Sequence, residues 1–227
     1  MMMTPLVKTP EATEFFQMPD TMRKIMLGDP AKLDDSVYNS VVAAHNAVGE
    51  GMLKVAALTD DKTRNDVQRH AAARTIAERA VSFLDAAKTN LEANARRLHR
   101  EATDEVERSF GADPNRASVQ SEIRGWIREN AKSAEGLAKI REAMRTNAEV
   151  GAVLYHSPHF LLNLADSVRT GMMMDAIEIH MPKTHAKFEA GIALDEAAEK
   201  YPKAISKVRR TFFNLAVAEQ AKSRVEV

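Results

Sequence analysis

The sequence predicts an all-α protein with three parts: an extended N-terminal arm, a long helical hairpin, and a C-terminal bundle of shorter helices. The 227 residues include 36 alanines, whereas aromatic residues make up only 5%. Nine glycines and eight prolines are too few for a β-sandwich, which needs a turn about every ten residues. A chain rich in alanine and poor in turn-forming residues favours helices.

The N-terminal arm, residues 1–33, is expected to begin extended because prolines stand at positions 5, 10 and 19. A proline pushes the preceding residue toward β or polyproline conformation, which disfavours a helix there. Phe15 and Phe16 form an apolar pair on this arm and need a surface to pack on. That surface is either the chain's own core, as for many termini, or a neighbouring subunit, so both are candidate partner contacts. A short helix over Asp20–Leu27 is expected to stop at Gly28.

The second part, residues 34–111, is expected to be a hairpin of two long helices. Apolar residues of the first helix recur every three or four positions, as on one helical face. They are Val37, Val41, Ala44, Val48, Met52 and Val55. A polar run over residues 59–66 marks the turn of the hairpin.

The second helix of the hairpin, expected over residues 61–110, carries the most regular pattern in the chain. Its apolar positions are Ile76, Ala80, Leu84, Ala87, Leu91, Ala95, Leu98, Ala102 and Val106. This hendecad pattern repeats every eleven residues, at about 3.67 residues per turn, which is typical of nearly straight helices in coiled coils. A helix of this length needs a partner along most of its surface, so Leu84, Leu91 and Leu98 are candidate partner contacts.

The third part, residues 112–227, is expected to be a bundle because prolines at 114, 158, 182 and 202 divide it into shorter helices. Ser157 and Pro158 are expected to open a helix that runs through Met172. Another helix is expected between Pro182 and Pro202. A last helix is expected to run from Ile205 to about Glu219.

Several catalytic and cofactor-binding motifs are missing from the sequence. Without cysteine, the chain has no disulfide, thiolate metal site or cysteine nucleophile. It contains no GxxxxGK[ST] phosphate loop, no HExxH, no ExxH of di-iron bundles and no GxSxG. Gly49 and Gly51 begin like a dinucleotide-binding fingerprint, but Lys54 stands where the last glycine should be. We therefore expect a protein that is not an enzyme and uses no cofactor.

Four of the seven histidines lie within 30 residues, at His156, His159, His180 and His185. Because imidazole is a common metal ligand, one alternative is a helical metal-binding protein. A continuous helix would separate residues 159 and 180 by about 30 Å, which argues against one shared site. These histidines are instead expected at helix ends, hydrogen-bonded to backbone groups, and we assign no metal site.

The C-terminal segment is basic, since residues 200–227 carry seven basic and two acidic side chains. A basic amphipathic helix can bind nucleic acid, an anionic membrane or an acidic protein surface. Arg209 and Arg210 are therefore candidate partner contacts. With the basic stretch at Arg96, Arg97 and Arg100, they define a second alternative, a nucleic-acid-associated protein.

The formal net charge of zero combines blocks of opposite sign: −3 for residues 1–60, +4 for 61–100, −6 for 101–199 and +5 for 200–227. Such blocks suit contact between identical subunits, although pairing within one chain explains them equally well. In composition and architecture, though in no motif, the chain resembles virion proteins of tailed bacteriophages, such as internal, connector or head-associated proteins. The resemblance implies a structural or connector subunit, with identical copies or other subunits of an assembly as partners.

The N-terminus lacks the charged and apolar regions of a secretory signal, and no uncharged stretch is long enough to span a membrane. We therefore expect a soluble protein, in the cytoplasm or in a virion assembled there.

Overall fold

The computed structural model describes residues 3–223, and every regular element in that range is a helix. The all-α prediction is therefore confirmed. The α-helices are α1 (Pro10–Phe16), α2 (Asp20–Leu27), α3 (Tyr38–Asp60), α4 (Asp66–Phe110), α5 (Ala117–Asn130), α6 (Ala134–Thr146), α7 (Ala148–His156), α8 (His159–Leu162), α9 (Asp166–His180), α10 (Pro182–Ala198), α11 (Tyr201–Phe212) and α12 (Leu215–Glu219). Short 3₁₀ segments cover Pro30–Lys32, Asp35–Val37, Pro114–Arg116 and Gln220–Ser223.

The chain folds into two compact units, unit 1 (Met1–Ala95 and Ile192–Val227) and unit 2 (Arg96–Gly191). This division differs from the predicted boundaries after residues 33 and 111. The reason is that α11 packs against α1, α2 and α3, so the end of the chain joins the same unit as its beginning.

In unit 1, α3 lies beside the part of α4 that ends at Ala95. Near the turn, the Arg69 guanidinium donates to the Thr59 carbonyl oxygen at 3.3 Å. Far from the turn, the Asn90 side-chain amide donates to the Ser40 hydroxyl at 2.8 Å. Because Arg69 contacts the end of α3 and Asn90, further along α4, contacts its beginning, the two helices run antiparallel.

The long helix α4 has 45 residues and is about 70 Å long at 1.5 Å per residue. Its predicted apolar positions are buried from Ala80 to Val106, and Ile76 alone among them is partly exposed. The helix begins at Asp66, five residues later than expected, because Asp61 binds the backbone and side chain of Thr63 in a turn. Asn65 and Gln68 then bond reciprocally to each other's backbone N–H groups, as in a capping box.

The N-terminal arm is not extended throughout, because Pro10–Phe16 is helical. Thr9 is extended, as expected of a residue before proline, and its hydroxyl accepts a hydrogen bond from the Ala12 N–H at 3.2 Å. Pro10 therefore occupies the first helical position, where its missing N–H costs nothing. The expected short helix over Asp20–Leu27 is present and stops at Gly28, which has a φ of 88°.

Unit 2 builds its core from α5, α6, α7 and α9, with the end of α4. Its largest fully buried side chains include Ile127, Ile140, Met144, Leu154 and Leu162. The helix expected from Pro158 through Met172 is broken in two. Asn163 adopts a left-handed conformation with a φ of 55°, which asparagine tolerates better than most residues, and α8 ends there.

The last expected helix is also interrupted. α11 ends at Phe212, and Asn214 starts α12 by accepting hydrogen bonds from the N–H groups of Ala216 and Val217 at 3.0 and 3.4 Å. An asparagine in this role favours a new helix start over continuation of the old one.

Candidate interaction surfaces

Five of the predicted partner contacts lie inside unit cores, which corrects their assignment to a surface. Phe15 and Phe16 are fully buried, and both rings contact the ring of Phe212, with centroid distances of 6.2 and 5.5 Å. The arm thus packs on its own chain. On α4, Leu84, Leu91 and Leu98 are buried as well.

Arg209 and Arg210 lie on the exposed surface of α11, and each forms an ion pair with a distant part of unit 1. Arg209 is 3.2 Å from a carboxylate oxygen of Glu78 on α4, and Arg210 is 2.9 Å from one of Glu11 on α1. Exposed pairs of this kind contribute at most about 1 kcal/mol, because water screens them. Both arginines remain accessible to a partner.

The basic stretch of α4 belongs to unit 2, whereas Arg209 and Arg210 belong to unit 1. Arg96 and Arg100 are exposed, and Arg97 is 2.8 Å from a carboxylate oxygen of Glu101. The nucleic-acid alternative therefore has one basic segment in each unit.

The clustered histidines make separate contacts. His156 Nδ1 lies 3.3 Å from the carbonyl oxygen of Phe110, and His180 Nε2 lies 2.7 Å from that of Met144. Both carbonyls belong to the last turn of a helix, so the prediction of hydrogen bonds at helix ends is confirmed for these two residues.

The other two histidines of this cluster each approach one carboxylate. His159 Nδ1 is 3.8 Å from Asp166, and His185 Nε2 is 3.9 Å from Glu189. Within residues 3–223, no three histidine, aspartate or glutamate side chains are grouped so that they could hold a metal ion.

Two further histidines, which the sequence did not single out, are tied into unit 1. His70 is buried, and its Nδ1 accepts a hydrogen bond from the backbone N–H of Asn214 at 3.1 Å. His45 Nε2 lies 2.8 Å from the carbonyl oxygen of Gly28. Burial lowers the pKa of both imidazoles, because it disfavours the charged form.

An ion-pair cluster joins α4 to α10 within unit 2. Glu105 accepts hydrogen bonds from the Lys187 ammonium at 2.5 Å and from the Thr184 hydroxyl at 2.8 Å. Glu101 lies 3.6 Å from the same ammonium. These hydrogen bonds lower the pKa of Glu105 and raise that of Lys187, so both groups stay charged at neutral pH.

A groove of about 400 Å³ runs between α3 and α4. Small residues line its α3 side, namely Ala43, Ala47 and Gly51, and Phe83 stands partly exposed on its α4 side. Glu50 and Lys54 also line the groove, and the Lys54 ammonium lies 3.2 Å from a carboxylate oxygen of Glu50.

A second depression in unit 1, of about 440 Å³, has charged walls of both signs. We call it the mixed-charge depression; it is lined by Met26, Glu196, Glu199, Lys200 and Lys203. On the same helix as Met26, the side chains of Met22 and Ile25 are 51% and 65% exposed. The methyl group of Ala197 lies near Gly28, which places the end of α2 against α10.

Unit 2 also leaves large apolar side chains exposed. On α5, Val119 and Trp126 are exposed, the tryptophan by 39%. On α8, which packs against α5, Phe160 and Leu161 are exposed, the phenylalanine by 68%.

None of the helices described here is both long enough and apolar enough to cross a membrane. Comparison of the chain with protein-family models, with curated proteins and with solved structures finds no match.

Proposed function

We propose that this chain is a non-enzymatic structural or connector subunit, which works by protein–protein contact in a larger assembly. The observation that supports it best is the exposure of grouped large apolar side chains. Ile25 and Met22 stand out on α2, and Trp126 and Phe160 on two contacting helices of unit 2. Exposed apolar groups with an aromatic residue are typical of surfaces that another protein covers.

The assembly that we propose is a virion of the tailed-bacteriophage kind, put together in the cytoplasm. This part rests on the resemblance of composition and architecture, together with the 45-residue helix α4.

The test is the oligomeric state of the purified chain, measured by light scattering over a wide concentration range. We expect association that grows with concentration. A chain that stays monomeric at the highest attainable concentration contradicts the proposal.

A second candidate function is nucleic-acid binding, which the composition of α11 favours. Between Tyr201 and Phe212 this helix carries four basic residues and no acidic one. Retention on DNA should then fall as salt rises, and replacing Arg209 and Arg210 by alanine should reduce the salt slope by about 2. Equal retention of wild type and variant would rule out this use of the helix.

A further inference from the structure

We infer that the mixed-charge depression of unit 1 is where a second copy of this chain docks, around a two-fold axis. The inference rests on the proposed function, and it names the surface and the partner that the function leaves open.

The four charged residues of the depression are accessible to a partner. Glu196 lies on the last turn of α10, Glu199 and Lys200 form the turn that follows it, and Lys203 lies on the first turn of α11. All four side chains are exposed. Among the residues that the structure describes, none of the four has an ion-pair partner within 4.0 Å, although they line one concave surface. Their charges are therefore not neutralised by direct contact within the chain.

Charge complementarity favours a second copy as the occupant. In a two-fold contact the same patch lies on both sides, and each residue meets its counterpart's neighbour. The carboxylates of Glu196 and Glu199 can then face the ammonium groups of Lys200 and Lys203 of the second copy. The reverse pairing forms at the same time, so the patch is complementary to itself.

The apolar part of the contact comes from α2. Met26 lines the depression. Met22, four positions before Met26 and three before Ile25 on the same helix, extends the exposed apolar surface together with Ile25. Flexible methionines adapt to an irregular partner surface. The proposed contact therefore combines charge pairs in the depression with exposed apolar side chains beside it.

Two charge-reversal variants test the docking surface. Glu196→Lys with Glu199→Lys makes the patch wholly positive, and Lys200→Glu with Lys203→Glu makes it wholly negative. Each variant alone should associate at least about tenfold more weakly than the wild type, because like charges then face each other. An equimolar mixture of the two should associate again, since the positive patch of one fits the negative patch of the other.

The matched control for the positive variant is Glu142→Lys with Glu178→Lys, which makes the same change in net charge at exposed positions of α6 and α9 in unit 2. It should associate as the wild type does. Circular dichroism on all variants verifies that the helices are retained, and sedimentation velocity measures the association.

The outcomes separate the two proposals. If the wild type associates and either reversed variant associates equally well, the docking surface is wrong and the proposed function stands. Failure of the mixture to re-associate overturns the two-fold pairing in the same way. A wild type that is monomeric throughout overturns the proposed function and, with it, this dimer.

Discussion

The buried ring of Phe212 determines which residue can stand at position 51. A Cβ atom added at Gly51 would lie 2.8 Å from Cε2 of that ring, which is itself fully buried. We expect Gly51→Ala to lower the free energy of unfolding by about 1–2 kcal/mol, because overpacking outweighs the gain in helix propensity. Urea denaturation measures the change.

The control for this substitution is Gly171→Ala, in the middle of α9. Apart from the adjacent residues and the backbone of its own helix, nothing lies within 4 Å of a Cβ placed there. That variant should gain about 0.5–1 kcal/mol, since only the helix propensity changes. A gain at position 51 as large as that at position 171 would contradict the contact with Phe212.

His70 links the stability of unit 1 to pH. Its pKa is lowered from an ordinary value of 6.5, first by burial, so the unfolded chain binds this proton more readily than the folded chain. The stabilisation is therefore complete above pH 6.5 and is lost as the pH falls through the histidine range. Protonation of Nδ1 would also break its hydrogen bond with the Asn214 N–H.

We expect the free energy of unfolding to fall between pH 7 and 5.5, and His70→Leu to remove part of this slope. A single group contributes at most about 1.4 kcal/mol per pH unit. Identical slopes for wild type and His70→Leu would show that His70 plays no part.

At the scale of elements, a prediction concerns the seam of α4, by which we mean its buried apolar positions from Ala80 to Val106. Ala87 is fully buried on the seam, whereas the adjacent Ala86 is exposed. Ala87→Leu should lower the free energy of unfolding by about 1–3 kcal/mol, because a close helix contact leaves no room for three more carbon atoms. Ala86→Leu should change it by less than about 0.5 kcal/mol. If chemical denaturation gave the same change in unfolding free energy for both substitutions, Ala87 would not lie at a close helix contact.

The seam was predictable because helical periodicity is a local property of the sequence. Periodicity also predicts that Leu84, Leu91 and Leu98 are buried, but it does not say whether residues of the same chain or of another chain bury them. In the structure, residues of the same chain bury all three leucines. The effect of Pro10 on the residue before it correctly predicted that Thr9 is extended. The same argument missed α1, because a capping threonine followed by a first-turn proline starts a helix.

The helix breaks and the mixed-charge depression depend on information that periodicity does not carry. Asn163 and Asn214 end or start helices through backbone geometry and side-chain hydrogen bonds, while the apolar pattern continues past both. The depression combines Met26 of α2 with four charged side chains from the end of α10 through the start of α11, about 170 residues later in the sequence. Only the docking of α11 on the N-terminal helices brings them together.

For the whole molecule, a formal net charge of zero at pH 7 predicts a solubility minimum close to neutrality. Without net repulsion, molecules approach each other most readily there. Precipitation with polyethylene glycol should need the least polymer near pH 7 and more at pH 5 and pH 9. The Glu142→Lys, Glu178→Lys variant should shift the minimum to higher pH. A minimum that stays in place would show that specific contacts, and not net charge, control precipitation.

The contact between Arg210 and Glu11 joins residues 199 positions apart, and the aromatic contact of Phe212 with Phe15 and Phe16 spans a similar distance. During synthesis, the ribosome makes all of unit 2 before it makes α11. Unit 2 is continuous in sequence and can fold as soon as it emerges, whereas the N-terminal helices must wait for the last part of the chain. We therefore expect the two phenylalanines of the arm to stay exposed on the nascent chain until α11 has been made.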